Sequence, residues 1–139
     1  MKPYYQEPNL ILYQGHALNV LRELPSESVD CCMTSPPYWG LRTYKTEPIV
    51  WGDNHCEHEW ISEEFKQHAG RGDCQSIKKY SEQESVPDMI LKRDFCLKCH
   101  AWKGELGLEP TIELYISHLI LIFTEIKRVL KKTGCCFVN

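Results

Sequence analysis

Eight consecutive residues, Met33-Thr34-Ser35-Pro36-Pro37-Tyr38-Trp39-Gly40, place a hydroxyl, two prolines and two aromatic rings directly behind a short apolar run, Val29 to Thr34. That run has β-branched ends and reads as a buried strand. The polar and aromatic residues therefore fall at the carboxyl end of a strand, where open α/β sheets bind ligands. Pro36 and Pro37 have fixed φ and no N–H, so the chain leaves the sheet in a stiff extended turn whose carbonyls can face a ligand. The Ser35 hydroxyl and a proline carbonyl can both accept hydrogen bonds from an exocyclic amine, and Tyr38 offers a flat face for a planar ring. Such parts suit a nucleobase amine drawn out of its helix. The alternative is a proline-rich turn that merely ends a strand, or a polyproline ligand for another domain.

A second chemistry is spread over the polar middle of the chain. Cys56-x-His58 and Cys96-x-x-Cys99 are two close pairs of soft ligands far apart in sequence, the pattern of a tetrahedral structural zinc site in which each pair forms a knuckle. Bound zinc would tie the two pairs together and contribute folding energy directly. His55 and His100 flank these pairs and could replace His58, and Cys74 reads as a spectator. Unligated thiols on a flexible insert, or a redox pair at Cys96 and Cys99, are the other readings.

These groups need elements to position them. Asn9 to Gln14 is a compact apolar run that reads as a first strand, and Ala17 to Leu24 places Leu18, Leu21 and Leu24 on one helical face closed by Pro25. Strand, short helix and strand make a βαβ unit with parallel strands. His16 stands in the turn between them. From Thr111 to Lys132 the periodicity predicts a long helix, with Thr111 as cap, Glu113 in the first turn and Lys127, Arg128, Lys131 and Lys132 at its end. Tyr115, Leu119, Ile122, Ile126, Val129 and Leu130 share one face. The basic residues read as a solvated helix end, and His118 as packed rather than catalytic. After Thr133-Gly134, Cys135 to Val138 reads as another buried strand, and Cys31, Cys32, Cys135 and Cys136 as buried thiols.

With 139 residues, 42% hydrophobic and 25% charged, the composition is that of one globular domain. A net charge of −3 excludes a protein whose whole surface binds nucleic acid. No apolar run approaches a membrane span, and the start MKPYYQEPNL has no apolar signal region, so the expected location is cytoplasmic, with no membrane partner. Residues 53–103 carry ten acidic and eight basic side chains, include Gly70-Arg71-Gly72, and show no core-forming period. Something other than an apolar core is expected to hold them.

MTSPPY followed by WGLRTY resembles motif IV of the amino-directed DNA methyltransferases, the S-adenosylmethionine-dependent enzymes that modify cytosine N4 or adenine N6. The serine form met at Ser35 is usual in the cytosine-N4 group. Enzymes of this group similar to this chain carry an insert with CxH and CxxC pairs, followed by a segment matched by Ala101-Trp102-Lys103-Gly104-Glu105-Leu106-Gly107-Leu108-Glu109-Pro110-Thr111. The resemblance implies an α/β fold: a partial Rossmann-like class I methyltransferase sheet with a zinc-binding insert. Residues 1–52 would form the βαβ unit with the TSPPY loop, 53–103 the polar insert with zinc knuckles at Cys56, His58, Cys96 and Cys99, and 104–139 a helix and the start of the next core strand. It further implies that Ser35 and the Pro36 carbonyl grip the base amine beside Pro37, while Tyr38 stacks on the ring, Trp39 borders the pocket and Arg42 meets a phosphate. The expected cofactors are S-adenosylmethionine and structural zinc, and the partner double-stranded DNA, in a bacterial or phage-encoded enzyme. His16 stands where the family has an acidic residue, and none of the eight glycines lies in the family's FxGxG cofactor turn. The chain is therefore expected to be the front part of such an enzyme, inactive until the C-terminal half completes it. A zinc-knuckle binding module without catalysis is the competing expectation.

Overall fold

The structure is a computed structural model that describes residues 2–53, 55–67 and 89–139. Gly70, Arg71, Gly72 and Cys74, named above from the sequence, lie outside the described residues. In chain order the elements are β1 (Tyr5–Glu7), β2 (Leu10–Leu12), α1 (Ala17–Glu23), β3 (Val29–Thr34), β4 (Ile49–Trp51), β5 (Trp60–Gln67), β6 (Met89–Cys96), β7 (Trp102–Gly104), α2 (Ile112–Val129) and β8 (Leu130–Val138). They fall into two compact units, one of Met1–Pro36 with Ile116–Asn139 and one of Pro37–Tyr115.

In the first unit the parallel strand pair is not the one the sequence suggests. Pro8 and Asn9 make a two-residue turn that folds β2 back on β1 in an antiparallel hairpin with Glu7 opposite Leu10. The partner of β3 is β8, in parallel, with Cys31 opposite Cys135 and Thr34 opposite Val138. With β2 paired to β1, the expected parallel pairing of the first strand with β3 is replaced by β3 on β8, joined by a long crossover that includes α2.

The turn before β3 is fastened to the end of α2. Glu27, at a positive φ of 52°, donates its N–H to the Arg128 carbonyl at 3.0 Å, and the Ser28 N–H reaches the Val129 carbonyl at 2.8 Å. Arg128 then caps α1: its guanidinium donates to the carbonyls of Leu21 at 2.7 Å and Leu24 at 3.0 Å, and to the Ser26 hydroxyl at 3.0 Å. Carbonyls at a helix C-terminus lack partners within the helix, so a cation that bonds two of them closes α1. Arg128 is thus a cap rather than part of a solvated helix end. Lys131 and Lys132 lie in β8 rather than in α2, because the helix gives way to β8 at Leu130. Lys131 makes a surface ion pair with Asp30 at 2.8 Å.

Helix α2 starts as its residues dictate. The Leu114 N–H bonds the Thr111 hydroxyl at 3.2 Å, the expected cap. Its buried stripe is Tyr115, His118, Ile122, Ile126 and Val129, at steps of three and four residues. His118 takes the place on that stripe expected of Leu119, so it is packed, as read from the sequence.

The four thiols expected to be buried are not. Cys31, Cys135 and Cys136 are exposed and Cys32 is half-buried, while Met33 and Phe137 are 81% and 60% exposed. A sheet of two strands has two faces, and apolar strand residues are covered only where another layer lies over them.

The second unit is an antiparallel sheet in the order β4-β7-β6-β5. Residues 60–67 pair with 89–96 from Trp60 opposite Cys96 to Gln67 opposite Met89. Strands thus occupy a stretch whose sequence showed no period, because these strands are mixed in polarity on both faces. A core exists here too: Trp51, Ala101, Trp102 and Leu108 are buried. The Trp51 indole bonds the Gly104 carbonyl at 3.2 Å. Gly52 lies so close to Ala101 that a Cβ on it would come within 2.7 Å of the alanine methyl.

Candidate functional site

Two sets of side chains carry chemistry. The first sits where β6 ends. The tight turn after Cys96 is closed by the His100 N–H on the Cys96 carbonyl at 2.9 Å and the Cys96 N–H on the Ala101 carbonyl at 2.8 Å, with His100 at a φ of 59°. The Lys98 N–H points at the Cys96 sulfur at 3.4 Å. This turn and the segment after Trp51 bring Cys56, His58, Cys96 and Cys99 together, with one ligand atom from each lying within 4.8 Å of the others.

The Cys56 and Cys96 sulfurs are 3.9 Å apart, and the Cys99 sulfur is 3.5 Å from His58 Nδ1. Two sulfurs on one tetrahedral zinc, each bonded at ~2.3 Å, stand about 3.8 Å apart, and a sulfur and an imidazole nitrogen about 3.5 Å. The spacing of the donors therefore fits a zinc ion. His58 supplies the nitrogen, whereas His55 and His100 are exposed and belong to no ligand cluster among the described residues.

The protonation of the cluster tells the same story. Burial pushes the Cys56 thiol up to about 12, helped by the hydrogen bonds it donates to the Cys99 and Cys96 sulfurs and by their charge. Burial also works to raise Cys96, but donors from the Cys99 backbone, the His58 ring and the Lys98 and Glu59 backbone outweigh it and bring the thiol down to about 5. Donors are aimed at one sulfur while its neighbours crowd it, an arrangement that a bound cation relieves. Outside the ligands, Trp60 lies against the His58 ring at 4.6 Å between centroids, and the Lys103 ammonium stands 5.9 Å over Trp60. These contacts limit the rotation of the imidazole.

The second set begins where β3 ends. Thr34 is its last residue, and its carbonyl takes the Asn139 N–H at 3.1 Å. Ser35 is exposed and helps line a shallow recess of about 380 Å³ with Met33, Thr34, Phe137, Val138 and Asn139. Its hydroxyl and the Pro36 carbonyl accept no hydrogen bond among the described residues.

From Pro37 onward the stretch belongs to the second unit and is tied down closely. The Pro37 carbonyl accepts the Tyr115 hydroxyl at 2.8 Å, and the Trp39 indole donates to the Glu109 carbonyl at 2.9 Å. Tyr38 is half exposed. Arg42 lies over the Tyr44 ring at 5.0 Å. Thr43 and the Tyr44 N–H hold the two oxygens of Glu105 at 2.9 and 3.1 Å. The sequence pointed to Trp39 and Arg42 but not to the residues that hold them. Glu109 and Tyr115 are separated from Trp39 and Pro37 by 70 and 78 positions, and the sequence marks Glu109 only within the run Ala101 to Thr111 and Tyr115 only as part of the helix stripe.

His16 is the N-cap residue of α1, and its side chain makes no capping bond. Burial and then the nearby Arg22 charge hold its pKa below the ordinary histidine value. That environment keeps the ring neutral at a helix start, where a cation is disfavoured.

Comparison with known proteins adds to this geometry. The chain is 30% identical over 128 residues to the Type II methyltransferase M.XycI of Xanthomonas campestris pv. cyanopsidis, covering 92% of this chain and 24% of that protein. It is 29% identical over the same length to the Type II methyltransferase M.Cfr9I of Citrobacter freundii, with the same coverage. To the Type II methyltransferase M.SfiI of Streptomyces fimbriatus it is 26% identical over 132 residues, which is 95% of this chain and 18% of that protein. The chain is a homologue of Type II methyltransferases. It spans about a quarter or less of the length of these relatives. No family model and no solved structure matches it. Among the described residues, no helix is long and apolar enough to cross a membrane.

Proposed function

We propose that this chain carries the base-gripping portion of an S-adenosylmethionine-dependent DNA methyltransferase of a restriction-modification system, acting on an exocyclic amine, with cytosine N4 ahead of adenine N6. The observation that carries the reading is the pair of acceptors at Ser35 and Pro36, which take no donor among the described residues. They stand at the carboxyl end of a parallel strand in a chain that aligns over nearly its whole length with Type II methyltransferases.

In this reading the target base leaves the duplex, and its amino group donates to the Ser35 hydroxyl and the Pro36 carbonyl while its ring stacks on Tyr38. Acceptors on the amine hydrogens stabilise the positive charge that develops on nitrogen as it is alkylated. Trp39 borders the base and Arg42 faces a phosphate. S-Adenosylmethionine supplies the methyl group. None of the eight glycines stands in an FxGxG sequence, and no residue of this chain is assigned to the cofactor. Zinc held by Cys56, His58, Cys96 and Cys99 is structural, since no part of the chemistry needs it.

The test uses the natural gene product that contains this chain, with double-stranded DNA and S-adenosylmethionine, followed by digestion to nucleosides and mass measurement. N4-Methylcytosine is the expected product. N6-Methyladenine would move the target, and neither product would end the reading. A zinc-knuckle module without catalysis is favoured by the ligand cluster alone, and it predicts DNA or protein binding with no methylated nucleoside.

A further inference from the structure

We propose that Glu109 and Tyr115 are positioning residues for the loop Pro37-Tyr38-Trp39-Gly40, acting through Gly107 and the Pro37 carbonyl without touching the base. The proposal rests on the reading of this loop as the one that grips the base.

The side chain of Glu109 is wholly buried, at 0% exposure, and one of its oxygens accepts the Gly107 N–H at 2.8 Å. That bond holds Gly107 at a φ of +92°, a conformation that L side chains rarely adopt. In this conformation Gly107 lies directly against the loop. A Cβ added to it would stand 3.0 Å from Pro37 Cβ and 3.3 Å from the Tyr38 carbonyl oxygen. The Gly107 carbonyl in turn accepts the Gly40 N–H at 2.8 Å. The Glu109 carbonyl takes the Trp39 indole, and the Tyr115 hydroxyl takes the Pro37 carbonyl. Three of the four loop residues are thus bonded to a segment some 70 positions away.

The geometry has a chemical consequence. A peptide is planar, so fixing the Pro37 carbonyl fixes the orientation of the Pro37-Tyr38 peptide, the base from which the Tyr38 side chain departs. The Pro37 carbonyl is occupied by Tyr115, while among the described residues the Pro36 carbonyl receives no donor. The brace therefore selects which of two adjacent carbonyls is left for a ligand. Tyr115 is suited to a permanent donor role, because burial, then the Glu109 charge and Tyr38, raise its pKa.

The experiment is hydrogen exchange by NMR on the 139-residue chain, reading the Trp39 indole N–H and the Gly40 amide beside the β5–β6 amides. Glu109→Leu removes the buried acceptor, and the two loop protons are expected to exchange at least about tenfold faster. Tyr115→Phe deletes one hydroxyl and should speed them by about fivefold. Glu109→Gln keeps an oxygen for Gly107 and should stay within about twofold of wild type, a rescue that a purely space-filling role would not show. In all three variants the β5–β6 amides keep their wild-type rates. Unchanged loop protons in Glu109→Leu and Tyr115→Phe, or equal acceleration of every amide, would overturn the brace. A cytosine-containing single-stranded oligonucleotide added to the natural gene product that contains this chain, wild type and with the same three substitutions, separates the two readings. Perturbation of the Tyr38 ring in wild type and Glu109→Gln, weakened in Tyr115→Phe, supports the positioning role. No perturbation in wild type removes the base-gripping assignment and with it the positioning role, while the brace itself is decided by exchange.

Discussion

The strands that look most like core and the stretch that looks least like it have exchanged places. Val29 to Thr34 and Cys135 to Val138 are apolar runs, yet Met33 and Phe137 are largely exposed; the polar stretch around Cys96 and Trp102 holds the largest fully buried side chains, Trp102, Glu109 and Cys96. The difference shows that a strand's composition states which face can be buried, not whether anything lies over it. In the second unit two buried tryptophans, with Ala101 and Leu108, form a core that no apolar period in the sequence marks. In the first, hydrogen bonds from Arg128 and the turn at Glu27 do much of the fastening.

The largest expected effect is on the ligand cluster. Chelation, or replacement of both Cys96 and Cys99 by Ser, should melt the β4-β7-β6-β5 sheet while β3 and β8 keep their signals in NMR spectra. Metal analysis should give about one zinc per chain, lost with the same replacements. Zero metal in a folded sample would remove zinc from the account and leave the sheet's stability unexplained. Next, Trp102→Ala should destabilise the second unit by about 3–5 kcal/mol, whereas Phe137→Ser in the first should cost no more than about 0.5 kcal/mol by denaturant titration. Equal costs would erase the contrast.

Arg128→Ala leaves two α1 carbonyls without their cation and should cost roughly 1.5–3 kcal/mol, read from the same titrations. Smallest is His16→Asp, which places a capping carboxylate at the start of α1 and should add roughly 0.5–1 kcal/mol. The pH profile sharpens that test. His16 has a folded pKa below its unfolded value, so the unfolded chain binds the proton more readily and stability falls as pH drops below about 6.5. The Asp variant should lose that share of the acid slope.

Much of the site could be read in the residues because it rests on local spacing. The two ligand pairs, the Thr111 cap and the strand ending at Thr34 are each set by a few neighbours, and the structure brings Cys56, His58, Cys96 and Cys99 within reach of one ion. What escaped was set at long range. Nothing near Asn9 to Gln14 says that Pro8-Asn9 will turn that strand away from β3, and nothing near Arg128 says that it will reach back to Leu21 and Leu24. The strands β5 and β6 were hidden because their alternation is weak and each depends on the other for its hydrogen bonds. The Glu109 brace was hidden for a similar reason, since a buried carboxylate and a surface one look alike in a sequence.

The register of β3 on β8 sets Cys31 opposite Cys135 and Cys32 opposite Cys136. Successive residues of a strand face opposite ways, so each pair occupies its own side of the ribbon. Neighbouring strands lie about 4.8 Å apart, inside the range a disulfide can bridge. A mild oxidant followed by peptide mapping would therefore read the alignment of the two strands to the nearest residue. A slip of one position would join Cys31 to Cys136, or Cys32 to Cys135, and leave the remaining thiols facing away.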